Sequence, residues 1–160
     1  MRIAFVCLGN ICRSPAAEAI ARARLLAAGL DGDVSVESFG TAGWYEGAGA
    51  HHQTMASLRR AGYVFEHRAR QIRQEHVGEL DLVLALDRSN FADVVALVGT
   101  DADAVGKVRL AREFDALGSL PPELEVPDPW GHGDDDFDHV VEMLERVADG
   151  VVGYSREVLR

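Results

Sequence analysis

The amino-acid sequence predicts a single α/β domain with a central parallel sheet and helices on both of its faces. The chain has 160 residues, about the size of one ordinary domain. Apolar residues make up 48% and charged residues 26%, as in globular proteins that bury a core without disulfides. Short apolar or alternating stretches are separated by segments of helical periodicity, an alternation typical of a parallel sheet. Residues 1–160 are therefore expected to form one domain.

The N-terminal thirty residues predict a strand, a tight loop and a helix. Ile3–Val6 is a continuous apolar run, as expected of a strand buried on both faces. Ser14 and Pro15 are the residue types of a helix cap and a first helical position, and Gly29 is expected near the helix end. The apolar residues that recur at helical spacing are Ala16, Ala19, Ile20, Ala23, Leu26 and Leu30.

The middle of the chain predicts further strands and helices. One stretch alternates between polar and apolar residues, and another is apolar except for Asp81. Gly62 and Gly99 are expected to end helices, and Ser89 is expected to cap one. The predicted segments are a strand at 34–38, a glycine-rich loop at 40–49, a helix at 51–61, a strand at 80–86, a helix from Ser89 to Gly99 and a strand at 105–110.

The C-terminal part predicts a long loop followed by an amphipathic helix. Residues 117–133 contain four of the five prolines and are expected to be loop. The helix is expected to begin near Asp135, where acidic residues favour the positive end of the helix dipole. Its expected buried stripe consists of Phe137, Val140, Val141, Leu144, Val147, Val151 and Val158.

The charge balance and the cysteine content narrow the class of function. The chain carries 26 acidic and 16 basic residues, a formal net charge of −10, which disfavours general binding to nucleic acid. No apolar run approaches the roughly 18 residues that span a bilayer, and the apolar start is too short for a secretory signal. We therefore expect a cytoplasmic protein without nucleic-acid or membrane partners. The two cysteines, Cys7 and Cys12, are too few for a secreted disulfide framework and are candidates for chemistry.

The candidate site is the loop Cys7–Ser14, which follows the first predicted strand. Ligands tend to bind at the carboxyl ends of parallel strands, and loop amides beside a helix N-terminus form a site for an anion. Gly9 permits backbone conformations that other residues avoid, and the Arg13 guanidinium can bind two phosphate oxygens at once. Cys7 would lie among donors that favour a thiolate, placed to attack a bound tetrahedral anion.

The motif Cys-X5-Arg-Ser within CLGNICRSP, close to the start of the chain, resembles that of the low-molecular-weight protein tyrosine phosphatases. Later segments occur in the family's order and approximate spacing, so the resemblance covers essentially the whole chain. It implies a flavodoxin-like α/β/α fold with strand order about 2-1-3-4. It also implies hydrolysis of phosphotyrosine in proteins and of small aryl phosphates, inorganic phosphate as product, and a monomer or weak dimer. The matching segments are 37–44, 67–71, 85–90 and 126–129.

The resemblance also implies roles for individual residues. Cys7 matches the nucleophile that forms a cysteinyl-phosphate, Arg13 the phosphate clamp, and Asp128 the general acid and base. Asp128 precedes Pro129 in a proline-rich loop, and proline stiffens such a loop so that a carboxyl group can be held over a pocket. The expected substrate- and phosphate-binding residues are Leu8, Gly9, Asn10, Ile11, Cys12, Ser14, Trp44, Tyr45 and Trp130.

A supporting network is implied in the same way. Ser38 and His67, together with Asn10 and Ser14, match polar groups that fix the loop in the family. Asp87 matches a carboxylate that pairs with the catalytic arginine, a suitable partner for a buried guanidinium. In the family the cysteine at position 12 can form a disulfide with the nucleophile, which would protect that nucleophile from irreversible oxidation.

Two segments depart from the family's usual pattern. Trp44, Tyr45 and Trp130 match or neighbour the aromatic walls that select phosphotyrosine. Most members have tyrosine at position 130, often followed by a second tyrosine that is a phosphorylation site in some relatives, whereas this chain has Trp130–Gly131. Residues 51–53 are His-His-Gln in place of a more typical Asp-Pro-Arg. Both departures bear on the substrate range.

Three other functions compete with this interpretation. Arsenate reductases of the same fold use two further cysteines downstream, and this chain has none after Cys12. Phosphoarginine phosphatases of the same fold carry threonine where this chain has Ile11. A silent phosphate-binding module would not need Cys7, Arg13 and Asp128 together.

No cofactor or metal is assigned from the sequence. His51 and His52 are adjacent, so on a helix they face different directions. His132 with Asp134–Asp136 lacks the spaced ligands of a calcium loop and is better explained as a charge cluster at a helix start.

Overall fold

The computed structural model describes residues 1–115 and 123–160, so part of the predicted 117–133 loop, residues 117–122, lies outside the described residues. Strands and helices alternate along the described chain, as predicted. The elements are β1 (Arg2–Cys7), α1 (Arg13–Ala27), β2 (Ser35–Gly40), α2 (His52–Arg60), α3 (Gln74–Glu79), β3 (Leu82–Ala85), α4 (Arg88–Val98), α5 (Ala102–Gly106), β4 (Val108–Leu110), a 3₁₀ turn (Ala111–Phe114) and α6 (Asp134–Val158).

The four strands form one parallel sheet in the order β2-β1-β3-β4, which confirms the predicted topology. At the carboxyl ends Cys7 pairs with Gly40, Val6 with Ala85, and Ala85 with Leu110. All four strands therefore end at the same edge of the sheet. The chain leaves β1 on one side for β2 and returns on the other side for β3, the kind of switch point at which α/β proteins bind ligands.

The sheet is covered on both faces, which confirms the three-layer architecture. Along β1, Ile3 and Phe5 pack into one buried cluster with residues of α1 and α6. Ala4 and Val6 pack into the other, with residues of α3 and α4. Because successive side chains on a strand point to opposite faces, this short apolar strand contributes to both cores. Within residues 1–115 and 123–160, no helix has the length and hydropathy needed to cross a membrane.

Two predicted helix caps were wrong. Helix α1 begins at Arg13, so Ser14 lies inside its first turn and makes no cap, and its hydroxyl is used in the neighbouring loop. Pro15 is the third helical residue, where the backbone N–H would have no partner within the helix and its loss costs little. Helix α4 is capped by Asp87 and not by Ser89, since an Asp87 Oδ1 accepts from the Asn90 N–H at 2.7 Å.

Other element boundaries also differ from the prediction. The apolar run at 105–110 divides between α5 and the short strand β4, because the Asp101 carboxylate caps a helical turn before the strand begins. The strand predicted at 80–86 is confined to Leu82–Ala85, and α3 was not predicted. Val158 is about half exposed because it lies in the last turn of α6, beyond the packed part of the stripe.

Two glycines of α6 provide a matched test of its packing. A Cβ at Gly150 would overlap the carbonyl group of Phe114, whereas a Cβ at Gly153 would meet no atom within 4 Å. We expect Gly150→Ala to lower the free energy of unfolding by about 1–3 kcal/mol, the usual cost of overpacking. Gly153→Ala should raise it by about 0.5–1 kcal/mol, because alanine is the better helix former. Denaturant unfolding of both variants measures this, and equal effects would show that α6 does not pack on the 3₁₀ turn as described.

Candidate active site

The candidate nucleophile lies at the end of β1, directly below a loop of unpaired amides. Cys7 is 3% exposed, and its Sγ lies 2.9 Å from the Ser14 Oγ. The backbone N–H groups of Gly9–Cys12 have no acceptor among the described residues. They precede the N-terminus of α1, which has no side-chain cap. Free N–H groups at the start of a 15-residue helix are a ready site for an anion.

Asn10 holds the loop in its conformation. It is fully buried and has φ of 55°, the one non-glycine residue with positive φ in the described chain. Its Nδ2 donates to the Ser14 Oγ at 2.9 Å and to the Ser38 Oγ at 3.0 Å, and its Oδ1 accepts from the Arg70 N–H at 2.8 Å. The His67 Nε2 lies 2.7 Å from the Asn10 carbonyl oxygen and donates to it. Burial lowers the pKa of His67, which favours the neutral imidazole.

Glu18 extends this network and was missed in the sequence. It is 5% exposed, and its carboxylate accepts from the Ser38 Oγ at 2.6 Å and from Arg22 at 2.5 Å. Burial raises the pKa of Glu18, although the Ser38 hydrogen bond opposes this. Since the Ser38 proton goes to Glu18, the Ser38 oxygen is left to accept from Asn10. The sequence signal that could have identified Glu18 is its position one helical turn after Ser14, on the buried face of α1.

The Arg13 guanidinium is buried, and not all of its N–H groups have a partner among the described residues. Its Nη1 donates to an Asp87 Oδ2 at 2.7 Å and to the Val126 carbonyl at 3.1 Å, and its Nη2 lies 3.7 Å from an Asp128 Oδ2. Burial lowers the pKa of Arg13, but the charges of Cys7, Asp87 and Asp128 outweigh that effect and hold the pKa above its usual value. The Arg13 Nε is buried without a partner among the described residues. The charged group is thus oriented by Asp87 and retains an N–H for a ligand.

The segment that carries Asp128 is anchored by the two residues Glu125 and Val126, which precede it. The Val126 N–H donates to the Leu86 carbonyl at 2.8 Å, just beyond β3, and a Glu125 Oε1 accepts from the Arg88 N–H at 2.9 Å. The Asp128 side chain is 48% exposed, and its Oδ1 accepts from the Trp130 N–H at 3.2 Å. Its carboxylate is therefore placed beside the guanidinium yet accessible to solvent.

A second anchor of this segment was also missed in the sequence. The Arg112 guanidinium donates to the Glu125 carbonyl at 3.4 Å and pairs with the buried Asp115 carboxylate at 3.1 Å. Arg146 of α6 also pairs with Asp115, at 3.1 Å. These residues lie far apart in the sequence or on an irregular turn, and no local pattern marked them.

These groups surround one cavity of about 260 Å³. It contains the three residues expected to be catalytic and the three expected aromatics. Trp44 is 73% and Trp130 58% exposed, so the aromatic side chains form an open rim. A Cβ at Gly9 would come 3.0 Å from the Tyr45 ring, so a larger residue there would have to displace that side chain. The lining residues are Cys7, Leu8, Gly9, Ile11, Cys12, Arg13, Trp44, Tyr45, Asp128 and Trp130. Asn10, Ser14, Ser38, His67 and Asp87 do not line the cavity and instead support those that do.

Cys12 is a buried free thiol beside the candidate nucleophile. Burial raises its pKa to about 12. At neutral pH Cys12 is therefore protonated and a weak nucleophile. The disulfide between Cys7 and Cys12 stays a prediction.

Residues 51–53, one of the two segments that depart from the family pattern, contact residues that closely follow the other segment, Trp130–Gly131. The His51 ring accepts from the Gln53 N–H at 3.2 Å and caps α2. The Gln53 amide donates to the His132 carbonyl at 3.2 Å and to an Asp134 carboxylate oxygen at 2.9 Å. Gly131 has φ of 81°, a conformation that favours glycine over tyrosine. Within the described ranges, no three His, Cys, Asp or Glu side chains are grouped as metal ligands.

Comparison with known proteins gives a consistent result. The family model for low molecular weight phosphotyrosine protein phosphatase matches residues 2–158. A low molecular weight protein-tyrosine-phosphatase of Streptomyces coelicolor is 46% identical over 156 residues, 98% of this chain and 94% of that protein. A low molecular weight protein-tyrosine phosphatase A of Mycobacterium bovis is 38% identical over 159 residues, 99% of this chain and 94% of that protein.

The fold also resembles that of solved structures. The crystal structure of a protein tyrosine phosphatase from Entamoeba histolytica, with Hepes in its active site, superposes with a TM-score of 0.92 at 27% identity. The match covers 100% of this chain and 99% of that one.

Asn10 offers a test of the loop geometry. Asn10→Ala and Asn10→Gly both lose the hydrogen bonds to Ser14, Ser38 and Arg70, each of which contributes about 0.5–1.5 kcal/mol. Only alanine also incurs the cost of positive φ, so we expect Asn10→Ala to be less stable than Asn10→Gly by about 0.5–1 kcal/mol. Chemical denaturation of the two variants measures the difference. A glycine variant no more stable than the alanine variant would show that the positive φ is not a constraint on this residue.

Proposed function

We propose that this chain, which belongs to the low molecular weight phosphotyrosine protein phosphatase family, hydrolyses phosphotyrosine in proteins, and small aryl phosphates, through a cysteinyl-phosphate intermediate. One observation carries the proposal. A buried cysteine, a buried arginine with an unpartnered N–H and a half-exposed aspartate line one cavity beside a loop of free amides. These groups are what phosphoryl transfer to a thiolate needs.

Binding of the phosphate group comes first. The free N–H groups of Gly9–Cys12, the Arg13 Nε and the N-terminus of α1 are donors for its oxygens. This local positive site has to overcome a chain with a net charge of −10. Because Asp87 already holds one end of the guanidinium at 2.7 Å, binding need not order a flexible side chain.

Attack by sulfur is the second step. The Cys7 thiolate forms a bond to phosphorus while the bond from phosphorus to the phenolic oxygen breaks. Protonated Asp128 gives its proton to the departing phenolate, so tyrosine leaves as the neutral phenol. The Ser14 Oγ lies 2.9 Å from the sulfur and donates to the Phe39 carbonyl at 3.2 Å, so its proton has to turn toward the thiolate to stabilise it before attack.

Hydrolysis of the intermediate completes the cycle. Asp128, now a carboxylate, accepts a proton from a water molecule that attacks phosphorus, and the bond between sulfur and phosphorus breaks. Inorganic phosphate leaves, and Cys7 returns as the thiolate. The solvent exposure of Asp128, 48%, allows water to reach it.

The cavity supports an aromatic substrate. Trp44, Tyr45 and Trp130 form walls for a ring, and stacking adds about 0.5–1.5 kcal/mol beyond the buried area. Ile11 adds an apolar wall, which favours an aryl group over a phosphoarginine side chain. A phosphoserine is too short to place its phosphate at the Cys7 sulfur below these walls.

We further propose a cytoplasmic enzyme that works without a cofactor, as a monomer or weak dimer. The chain has two cysteines, too few for the disulfide framework that small secreted domains use. The proposed steps use side chains, backbone amides and water alone.

The test is turnover of p-nitrophenyl phosphate and of a phosphotyrosine peptide with a metal chelator present. We expect wild type to hydrolyse both and Cys7→Ser to hydrolyse neither. Asp128→Ala should lose about 10²–10⁴-fold on the peptide, because tyrosine is a poor leaving group without a proton. The loss should be smaller on p-nitrophenyl phosphate, whose leaving group needs less protonation.

Asp135→Ala, a substitution of an exposed residue in the first turn of α6, is the matched control and should be unchanged. Phosphoserine and phosphoarginine peptides test the substrate class. A wild type that binds phosphate without turnover would support a binding module, and faster hydrolysis of phosphoarginine would contradict the aryl specificity.

A further inference from the structure

A second depression adjoins the active-site cavity and shares one wall with it. Its volume is about 290 Å³, and Leu8 lines both depressions. Leu97 of α4 lines the second one from another element, and Thr41 and Gln71 contribute to it from the segments beside β2. A substrate held in the first cavity therefore passes next to the second.

The exposed apolar side chains of the described chain concentrate here. Nine large hydrophobic side chains are exposed within residues 1–115 and 123–160, and five of them line these two depressions: Leu8, Trp44, Tyr45, Leu97 and Trp130. Leu8 is 36% and Leu97 38% exposed, so each presents only part of its surface. Exposed apolar side chains clustered in this way mark a binding surface.

Asp93 gives the second depression its charge. It is an exposed residue of α4, and its carboxylate makes no hydrogen bond or ion pair with any described residue. The amide of Gln71 donates to the Thr41 carbonyl at 3.1 Å and does not pair with Asp93. None of the described residues that line the depression is an arginine, a lysine or a histidine. Two leucines and an unpaired carboxylate thus face the same space.

We infer that this depression binds a lysine or arginine side chain close in sequence to the phosphotyrosine of the protein substrate, an inference that rests on the proposed function. Long cationic side chains pack their methylene stems on apolar surface while the charged group remains in water. Leu8 and Leu97 contact the stem, and Asp93 pairs with the charged group. The net charge of −10 also favours the approach of basic substrates. A glutamate at this position of the substrate is repelled.

The test is a set of phosphotyrosine peptides with alanine elsewhere. Lysine, norleucine and glutamate are placed in turn at each of about three positions on either side of the phosphotyrosine. Norleucine keeps the stem of lysine and removes its charge. At one of these positions, the one whose side chain reaches the depression, we expect the kcat/KM of wild type to be highest with lysine, lower with norleucine and lowest with glutamate. Asp93→Asn should reduce the advantage of lysine over norleucine by about 2- to 5-fold, the range of exposed ion pairs, and Leu97→Ala should lower kcat/KM for both.

The controls separate this inference from the proposed function. Glu157→Gln makes the same change in net charge at an exposed position near the end of α6 and should keep the lysine preference. Hydrolysis of p-nitrophenyl phosphate should be equal in all variants, since that substrate has no flanking residue. The inference would be overturned if wild type showed no preference for lysine. It would also be overturned if that preference survived in Asp93→Asn, or if Glu157→Gln lost it to the same extent. A preference for norleucine over lysine would show that the depression binds an apolar side chain, and would also overturn the inference. If wild type does not hydrolyse p-nitrophenyl phosphate, the proposed function itself is overturned, and the inference with it.

Discussion

The hydrogen bonds of the Asn10 side chain are the constraint on which the site depends. They hold one residue of the loop at positive φ, and that turn leaves the N–H groups of Gly9–Cys12 without internal acceptors. The same bonds tie the loop to β2 through Ser38 and to the segment beside it through Arg70. A loop between a strand and a helix would otherwise satisfy its amides internally or vary in conformation. Here the hydrogen bonds of the Asn10 side chain fix the conformation of the loop.

The electrostatics of the site follow from this arrangement. An acidic chain binds an anion only where fixed donors outweigh the surrounding charge. Among the described residues that line the cavity, Arg13 alone carries a full positive charge, and Asp87 both orients it and caps α4. One carboxylate thus couples the position of the guanidinium to the start of a helix on the other face of the sheet. Asp128 lies farther from the guanidinium, at 3.7 Å, and remains accessible to solvent, as the proposed proton transfer requires.

Much of the fold was predictable because its signals are local. The apolar run of β1, the helical spacing of α1 and the stripe of α6 each predict an element without reference to the rest of the chain. The Ser14 cap was wrong because the Ser14 hydroxyl contacts Cys7, Asn10 and the Phe39 carbonyl and not its own helix, an arrangement that only the tertiary structure creates. The α4 cap is a local hydrogen bond from the Asn90 N–H to Asp87, which was predicted two residues too late. At the site, the residues of the loop were indicated by their motif. Glu18 and Arg112 were not, since their roles arise only when the tertiary structure brings Ser38 and the Glu125 carbonyl to them.

The central claim is that phosphate is transferred to the Cys7 sulfur, and trapping that species tests it most directly. Asp128→Ala retains the nucleophile but slows the water attack, so the intermediate should accumulate when the leaving group is good. Acid quenching during turnover of p-nitrophenyl phosphate, followed by peptide mass spectrometry, should then find one phosphoryl group on the peptide that contains Cys7. The label should be absent from Cys7→Ala/Asp128→Ala quenched in the same way, because alanine at position 7 cannot be phosphorylated. Product formation without a phosphorylated peptide, or a label on another residue, would contradict the account.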